Sequence, residues 1–191
     1  MIEFDHRLFL YLNGFHHPFT DDFWVFMSSN WAWLFFYVPA LYFVVKRFRI
    51  QAIIPLLFIV ALIFLADQGT NLAKQYFERP RPCREEELAG MVHFLANYCG
   101  LYGFWSAHAA NAFAQISFFM LLNVIPKGKL SVGVYSYLIT WAILVAFSRI
   151  MVGVHYPFDV LVGAVYGMLC AILLYMIFRR FFKKRISVPI S

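Results

Sequence analysis

Long apolar runs dominate the chain and alternate with short polar connections. Five of these runs have, or nearly have, the length of about 20 residues that a helix needs to cross a bilayer. They are predicted at 23–45, 51–72, 104–125, 131–148 and 157–178. The pattern therefore predicts an all-α protein, an integral membrane helical bundle with about five transmembrane helices. The length predicts a single membrane-embedded domain over residues 1–191.

The first twenty residues differ from these runs. The segment 3–12 is too short and too mixed in polarity to span a bilayer. Its apolar residues Phe4, Leu8 and Tyr11 recur at helical spacing, which is typical of a helix that lies in the membrane interface. We therefore expect residues 1–20 to form an interfacial N-terminal segment. A helix that caps the protein on its water-facing side is the alternative.

Composition supports a membrane protein. Of the 191 residues, 62% are hydrophobic and only 14% are charged, whereas soluble domains carry roughly 25% charged residues. This excess of apolar side chains cannot all be buried in one core, so lipid must cover part of the surface. The N-terminus is acidic and lacks the basic region that begins a cleavable signal peptide.

The charged residues divide between the two sides of the predicted membrane. Every acidic residue and all six histidines belong to one side. The other side holds ten basic residues and no acidic ones: Lys46, Arg47, Arg49, Lys127, Lys129, Arg179, Arg180, Lys183, Lys184 and Arg185. The positive-inside rule makes this basic side cytoplasmic. We therefore expect a multi-pass protein of the cell inner membrane, with a cytoplasmic C-terminus, an outward-facing loop at 73–103 and no nucleic-acid partner.

Three polar patches lie at the outer ends of the predicted spans, at 74–82, 105–108 and 148–159. Among them, Lys74, Arg81 and Arg149 present three cations to one face. Such a set, together with hydroxyl and amide donors, suits a tetrahedral oxyanion such as phosphate. The patches therefore predict a phosphate-binding site.

A nucleophile is available in the third patch. His155 and Asp159 are four residues apart, so at a helix start they would share a face. The carboxylate could then fix the ring and leave its other nitrogen free to attack. Gly153 permits a tight turn before His155. In the second patch, His108 could protonate a leaving oxygen and Ser106 could help to hold an oxyanion.

A polar stripe runs along the second predicted span. Asp67, Asn71 and Lys74 follow one another at i, i+4 and i+7. An ionisable residue such as Asp67 inside a span indicates either a functional site or an ion pair. We interpret the stripe as support for the basic cluster, with a bundle-stabilising polar contact as the alternative.

The three patches resemble the motifs of the type 2 phosphatidic acid phosphatase superfamily. The first motif of that family is a Lys, six residues and Arg-Pro. The third is Ser-Arg, five residues, His, three residues and Asp. Both are complete in this chain, in residues Lys74, Arg81, Pro82, Ser148, Arg149, His155 and Asp159.

The second motif of the family, Pro-Ser-Gly-His, is matched only in part. Ser106 and His108 agree with it, but Trp105 replaces the Pro and Ala107 replaces the Gly. Ala107 still supplies a backbone N–H, so a phosphate contact survives if the local conformation does. The departures bear on loop geometry and substrate shape more than on activity.

The resemblance implies a mechanism without a metal or cofactor. His155 would form a phosphohistidine, Asp159 would orient it, and His108 would act first as an acid and then to activate water. Five residues would hold the phosphoryl oxygens: Lys74, Arg81, Ser106, Ala107 and Arg149.

The predicted function is hydrolysis of a phosphate monoester or diphosphate on a membrane lipid, on the periplasmic face. Undecaprenyl diphosphate and a lipid A phosphate are favoured as substrates, and phosphatidylglycerophosphate is a third candidate. One alternative is a phosphotransferase that passes the phosphate to another acceptor. Another is a non-catalytic lipid-phosphate binding protein, which the altered second motif favours. No obligate protein partner is predicted beyond the lipid substrate and the bilayer.

The cysteines and the remaining histidines carry weaker signals. Cys83 and Cys99 fall in the outward-facing loop, where an oxidising exterior would allow a disulfide. Free thiols there are the alternative. The remaining histidines have no spacing typical of a metal site, and we interpret them as capping or interfacial residues: His6, His16, His17 and His93.

Overall fold

The computed structural model describes residues 2–125 and 128–182, which form seven α-helices joined by loops and 3₁₀ turns. The helices are α1 (Ile2–Asn13), α2 (Pro18–Met27), α3 (Leu34–Phe48), α4 (Ile53–Phe77), α5 (Ala107–Leu122), α6 (Lys129–Met151) and α7 (Pro157–Phe182). The described residues contain no β-strand. The prediction of an all-α protein is confirmed.

Three helical segments among the described residues are long and apolar enough to cross a membrane. They are Asn30–Phe77, Leu130–Met151 and Pro157–Phe182. The first has 48 residues and contains both α3 and α4, joined by a 3₁₀ turn at Arg49–Ala52. Helix α5 is apolar but shorter. The count of about five spans therefore stays a prediction.

Two boundaries of the predicted elements were wrong. The segment 23–45 is divided, because α2 ends at Met27 and a separate turn precedes α3. Serine side chains bond locally to the backbone there: the Ser29 hydroxyl donates to the Phe26 carbonyl at 2.7 Å, which competes with a continuous helix. The loop predicted to begin at residue 73 begins later, because α4 continues to Phe77. Lys74 consequently lies in the last helical turn.

Helices α5 and α7 approach each other closely through small residues. A Cβ atom on Gly163 would lie 2.5 Å from the Ser106 carbonyl oxygen, and one on Gly167 would overlap the Ala110 carbonyl oxygen. Small residues four apart let two helix backbones come together in membranes. This contact holds the N-terminal ends of α5 and α7, which carry motif residues, side by side.

The basic residues and the motif residues lie at opposite ends of the bundle. The Phe48 and Phe178 rings are 6.5 Å apart, so the C-terminal ends of α3 and α7 meet. Lys46 and Arg47 end α3 there, and Arg179 and Arg180 lie in the last turn of α7. Other residues of the predicted cytoplasmic set lie outside the described residues: Lys127, Lys183, Lys184 and Arg185. Which end faces the cytoplasm stays a prediction.

Helix α1 packs on the bundle with one face and leaves the other exposed. Asp5, Phe9 and Asn13 are buried at i, i+4 and i+8, whereas Phe4 and Tyr11 are 62% and 66% exposed. The Asn13 amide donates to main-chain carbonyls at the end of α6 and accepts the His93 N–H at 2.8 Å. The predicted N-terminal helix is present, but its docking face was not foreseen.

Candidate functional site

A tight turn between α6 and α7 brings His155 back towards Arg149. The N–H groups of Val154 and His155 both donate to the Arg149 carbonyl, at 3.1 and 3.2 Å. Gly153 makes this possible because its φ is +80°, a left-handed value that disfavours other residues. A Cβ atom there would also lie 2.7 Å from the His93 carbonyl oxygen.

His155 and Asp159 face each other in a buried environment. The distance between His155 Nδ1 and Asp159 Oδ2 is 3.4 Å, and the two side chains are 2% and 0% exposed. The same Oδ2 accepts the Tyr156 N–H at 3.0 Å. The carboxylate is therefore fixed beside one ring nitrogen and leaves Nε2 on the other edge of the ring.

Three cations converge on this ring. Burial lowers the pKa of His155 well below its ordinary value of 6.5, and Arg81, Arg149 and Lys74 lower the pKa further. The imidazole is therefore neutral at neutral pH, with a lone pair available for attack. The same three cations make the surroundings of the ring attractive to an anion.

Arg81 is held in place by the loop between α4 and α5. Gly103 donates its N–H to the Arg79 carbonyl at 2.8 Å, which pairs the two loop segments. Arg81 Nε then donates to the Tyr102 carbonyl at 3.0 Å. A Cβ on Gly103 would come within 3.2 Å of both Arg81 Cγ and Asp159 Oδ2, so the guanidinium stem passes close to the carboxylate.

The second patch forms the start of α5. Ser106 is the N-cap residue: its Oγ accepts from the Ala109 N–H at 3.4 Å, and its own N–H donates to the Asp159 carbonyl at 2.9 Å. Ser106 therefore ties α5 to α7. The next N–H groups, of Ala107 and His108, belong to the first turn, where helical N–H groups lack intrahelical acceptors and can bind an anion.

His108 borders two cavities at this end of the bundle. One cavity, of about 320 Å³, also has Ser28 and Arg149 in its lining. The other, of about 370 Å³, has Asp67 in its lining. Arg149 Nη1 donates to the hydroxyl of Ser28, a residue at the end of α2 that the sequence did not single out.

The structure places three residues that were predicted to support the site in three different environments: Asp67, Asn71 and Ser148. Asp67 Oδ1 accepts from Asn111 Nδ2 at 2.7 Å, whereas Asn71 is exposed. The buried Ser148 hydroxyl donates to the Val145 carbonyl of its own helix at 2.7 Å. Asp67 and Asn71 of the predicted stripe therefore have different surroundings, and the Ser148 hydroxyl bonds within α6.

Sequence reasoning missed a clamp on Asp159. Arg79 donates to Asp159 Oδ1 at 2.8 Å and to Asp5 Oδ2 at 2.7 Å. Its guanidinium lies 4.1 Å from the centre of the Tyr156 ring. Asp5 Oδ1 also accepts the Phe158 N–H at 3.0 Å. Helix α1 therefore orients the carboxylate beside His155. The available sequence signal was that Asp5 and the apolar Phe9 lie one helical turn apart, on the same face of α1.

Replacing Asp5 by asparagine is expected to lower kcat about 10-fold with a smaller change in KM. The loss of charge loosens Arg79 and, through it, Asp159. In metal sites, changes to residues that orient a ligand cost roughly 10- to 100-fold, and we expect the lower end of that range here. The measurement is phosphate release by the purified protein. Glu3→Gln is the matched control, because Glu3 lies on the exposed side of α1 and pairs with Arg7. Equal kcat in both variants would contradict the role of the clamp.

Other predicted residues lie in the loop between α4 and α5 and around α2. Cys83 and Cys99 form a disulfide, with Cα atoms 6.3 Å apart. His17 caps α2 by accepting the Phe19 N–H at 3.2 Å. Two residues around the start of α2 and one distant residue come together with ligand atoms within 4.8 Å of one another: His16, Asp21 and His93. The spacing of these residues in the sequence does not indicate that they form a group that could hold a metal ion. None of them belongs to the three motifs.

The chain is similar in sequence to several known proteins. A model of the PAP2 superfamily matches residues 52–183. The chain is 33% identical to a lipid A 4'-phosphatase of Bacteroides thetaiotaomicron, over 87% of this chain and 75% of the relative. It is 29% identical to a lipid A 4'-phosphatase of Porphyromonas gingivalis, over 93% and 74%.

Two solved structures have a similar fold. The crystal structure of Aquifex aeolicus LpxE superposes with a TM-score of 0.66 at 28% identity, covering 89% of this chain and 93% of that one. A PAP2-type phosphatidylglycerolphosphate phosphatase from Bacillus subtilis gives 0.72, covering 94% and 86%, and its 20% identity supports the fold alone. The family model and the two curated relatives show that the chain belongs to the PAP2 superfamily and is a membrane lipid phosphatase.

Proposed function

We propose that the protein removes a phosphate from lipid A through a phosphohistidine on His155. The observation that carries the chemistry is the buried His155–Asp159 pair surrounded by Lys74, Arg81 and Arg149. The substrate is proposed from the two curated relatives, which are lipid A 4'-phosphatases.

The first step transfers the phosphoryl group to the enzyme. Nε2 of His155 attacks phosphorus while the bond from phosphorus to the lipid oxygen breaks. His108 donates a proton to that leaving oxygen. The cations and the first N–H groups of α5 stabilise the charge that develops on the phosphoryl oxygens, because they are already in place before the reaction.

The second step releases phosphate. His108, now neutral, accepts a proton from water as the water attacks phosphorus, and the bond to His155 Nε2 breaks. Asp159 Oδ2 lies 3.4 Å from Nδ1 and is proposed to orient the ring in both steps. The ring is surrounded by three cations and one carboxylate, a donor set that attracts anions rather than metal cations, so the proposed mechanism uses no metal.

The proposed orientation places the site on the periplasmic side of the inner membrane. Support comes from the basic ends of α3 and α7, which lie opposite the site. In this proposal α3, α4, α5, α6 and α7 each cross the bilayer once, and α1 lies at the outer surface over the site.

Phosphate release by the purified protein in detergent, with EDTA present, tests the proposal. Lipid A, undecaprenyl diphosphate and phosphatidylglycerophosphate would be compared at equal concentrations. We expect lipid A to react fastest and the chelator to have no effect. Inhibition by EDTA would overturn the metal-free mechanism, and faster release from another lipid would overturn the substrate.

The same assay separates the two other functions. A phosphotransferase would consume lipid phosphate only when an acceptor is added, without equivalent release of inorganic phosphate. A binding protein would release none from any of the three lipids. Either result would overturn the hydrolytic proposal.

A further inference from the structure

The larger of the two cavities beside His108 has no role in the chemistry described above. It extends between α3, α4 and α5 and has a volume of about 370 Å³. Its lining combines polar with aromatic side chains, among them Trp33, Tyr37, Asp67, His108, Asn111 and Gln115. Polar residues at membrane depth are costly, and they commonly mark a substrate pathway. Binding sites for small molecules have volumes of roughly 300–1,000 Å³.

One face of α5 forms the polar wall of this cavity. His108, Asn111 and Gln115 follow one another at i, i+3 and i+7, so they point to the same side of the helix. His108 is also the residue that this cavity shares with the cavity containing Arg149. The polar wall therefore begins at the proposed proton donor and continues two turns deeper into the bundle.

Two oxygen atoms on this wall lack hydrogen-bond donors. Asn111 Nδ2 donates to Asp67 Oδ1 at 2.7 Å and to the Ala107 carbonyl at 3.1 Å, so the donor side of this amide is occupied. Asn111 Oδ1 and Gln115 Oε1 are buried and have no hydrogen-bond partner within the described part of the chain. Leaving a buried polar atom unpaired costs roughly 1–3 kcal/mol. Such atoms call for a donor from a bound molecule.

The chemistry of the lining selects the ligand. Two amide oxygens and the Asp67 carboxylate accept hydrogen bonds, so they favour a molecule with several hydroxyl or amide N–H donors and disfavour a second phosphate. Trp33 and Tyr37 add an aromatic surface. A sugar ring has this combination, because its edge carries donors and its faces are largely apolar.

We propose that this cavity binds the sugar ring that carries the phosphate in the lipid substrate. The inference rests on the proposed function, in which His108 protonates the oxygen that links the phosphate to the lipid. That oxygen lies between the phosphate and the head group, so the head group must also lie against His108. The cations occupy the phosphate side, and the acceptor-rich cavity occupies the other. Asn111 and Gln115 are thereby specificity-determining residues.

The test compares two substrates with different leaving groups. Lipid A offers a phosphorylated sugar, whereas phosphatidic acid offers a phosphate on diacylglycerol without a sugar. Gln115→Met removes the amide at nearly constant volume. We expect it to lower the ratio of kcat/KM for lipid A to kcat/KM for phosphatidic acid about 10-fold, the equivalent of one lost hydrogen bond. Tyr37→Phe, a second variant, is expected to lower the same ratio.

Gln68→Met is the matched control, because Gln68 is exposed on α4 and does not line the cavity. It should leave the ratio unchanged. An unaltered Tm would show that Gln115→Met is folded like the wild type. The inference is overturned if this folded variant lowers both kcat/KM values equally or changes neither. An equal fall would mean that Gln115 supports the helix bundle or His108 instead of the sugar.

A binding measurement separates failure of this inference from failure of the proposed function. Lipid A is expected to raise the Tm of the wild type more than that of Gln115→Met. If the wild type hydrolyses neither lipid but this difference in Tm is observed, the proposed function fails and the sugar site stands. If lipid A raises both Tm values equally, the sugar site is wrong whether or not hydrolysis occurs.

Discussion

Replacing His155 by alanine is expected to reduce phosphate release roughly 10⁴-fold or more, because the variant has no atom to accept the phosphoryl group. Loss of a covalent nucleophile removes the whole two-step route and leaves only the contribution of substrate binding. The Lys74, Arg81 and Arg149 cations would still hold the lipid phosphate. KM should therefore change much less than kcat. The measurement is steady-state phosphate release from lipid A, together with detection of an acid-labile phosphoprotein in the wild type alone.

His17→Ala provides the matched control for this substitution. His17 is exposed and caps α2, so its loss should cost about 1 kcal/mol of stability and leave kcat unchanged. A His155→Ala variant that keeps its Tm and retains wild-type activity would show that the nucleophile has been wrongly assigned.

Replacing Gly167 by alanine is expected to prevent stable folding or to abolish activity. The added Cβ would overlap the Ala110 carbonyl oxygen of α5, a backbone atom that no side-chain rotation can move away. The two helices must then separate, and overpacking of this kind typically costs 1–3 kcal/mol or more. Thermal unfolding in detergent and phosphate release measure the two effects. If the variant folds but releases no phosphate, His108 has moved away from His155.

The same substitution at Gly133 provides the comparison. Gly133 is exposed on α6 and a Cβ there would meet nothing within 4 Å. Gly133→Ala should therefore keep full activity and gain up to about 1 kcal/mol from helix propensity. If both variants unfolded at the wild-type Tm, the close contact between α5 and α7 would not be needed for stability.

The sequence predicted those parts of the molecule that short-range patterns determine. Apolar runs located α4, α6 and α7 to within a few residues. A segment that crosses lipid must satisfy its own backbone hydrogen bonds, so it forms a long helix with apolar side chains, and such a run is easily recognised in a sequence. The spacing between His155 and Asp159 predicted their approach, although α7 begins only at Pro157 and His155 lies in the turn before it. Gly153 indicated the turn before them, because its φ is one that other residues avoid.

Contacts between segments that are distant in the chain could not be predicted from such short-range patterns. Arg79 binds Asp5 and Asp159 across more than 70 residues on either side, and no local period records such a pairing. The break between α2 and α3 was missed because apolar residues on both sides hide the short polar segment of Ser28, Ser29 and Asn30. Asp67 was interpreted as support for the basic cluster, with a bundle-stabilising contact as the alternative, and its hydrogen bond to Asn111 on α5 could not be read from its own helix.

The close contact at Gly163 and Gly167 has a consequence for how such an enzyme can change its substrate. The proposed acid and nucleophile stand at the ends of two helices whose backbones touch, so they form one rigid unit that tolerates little variation. The wall of the proposed sugar-binding cavity opposite α5 belongs to α3, the turn before it and α4, which lie outside this contact. Evolution, or a protein engineer, can therefore alter Trp33 and Tyr37 to accept a different lipid while the reaction itself is left intact.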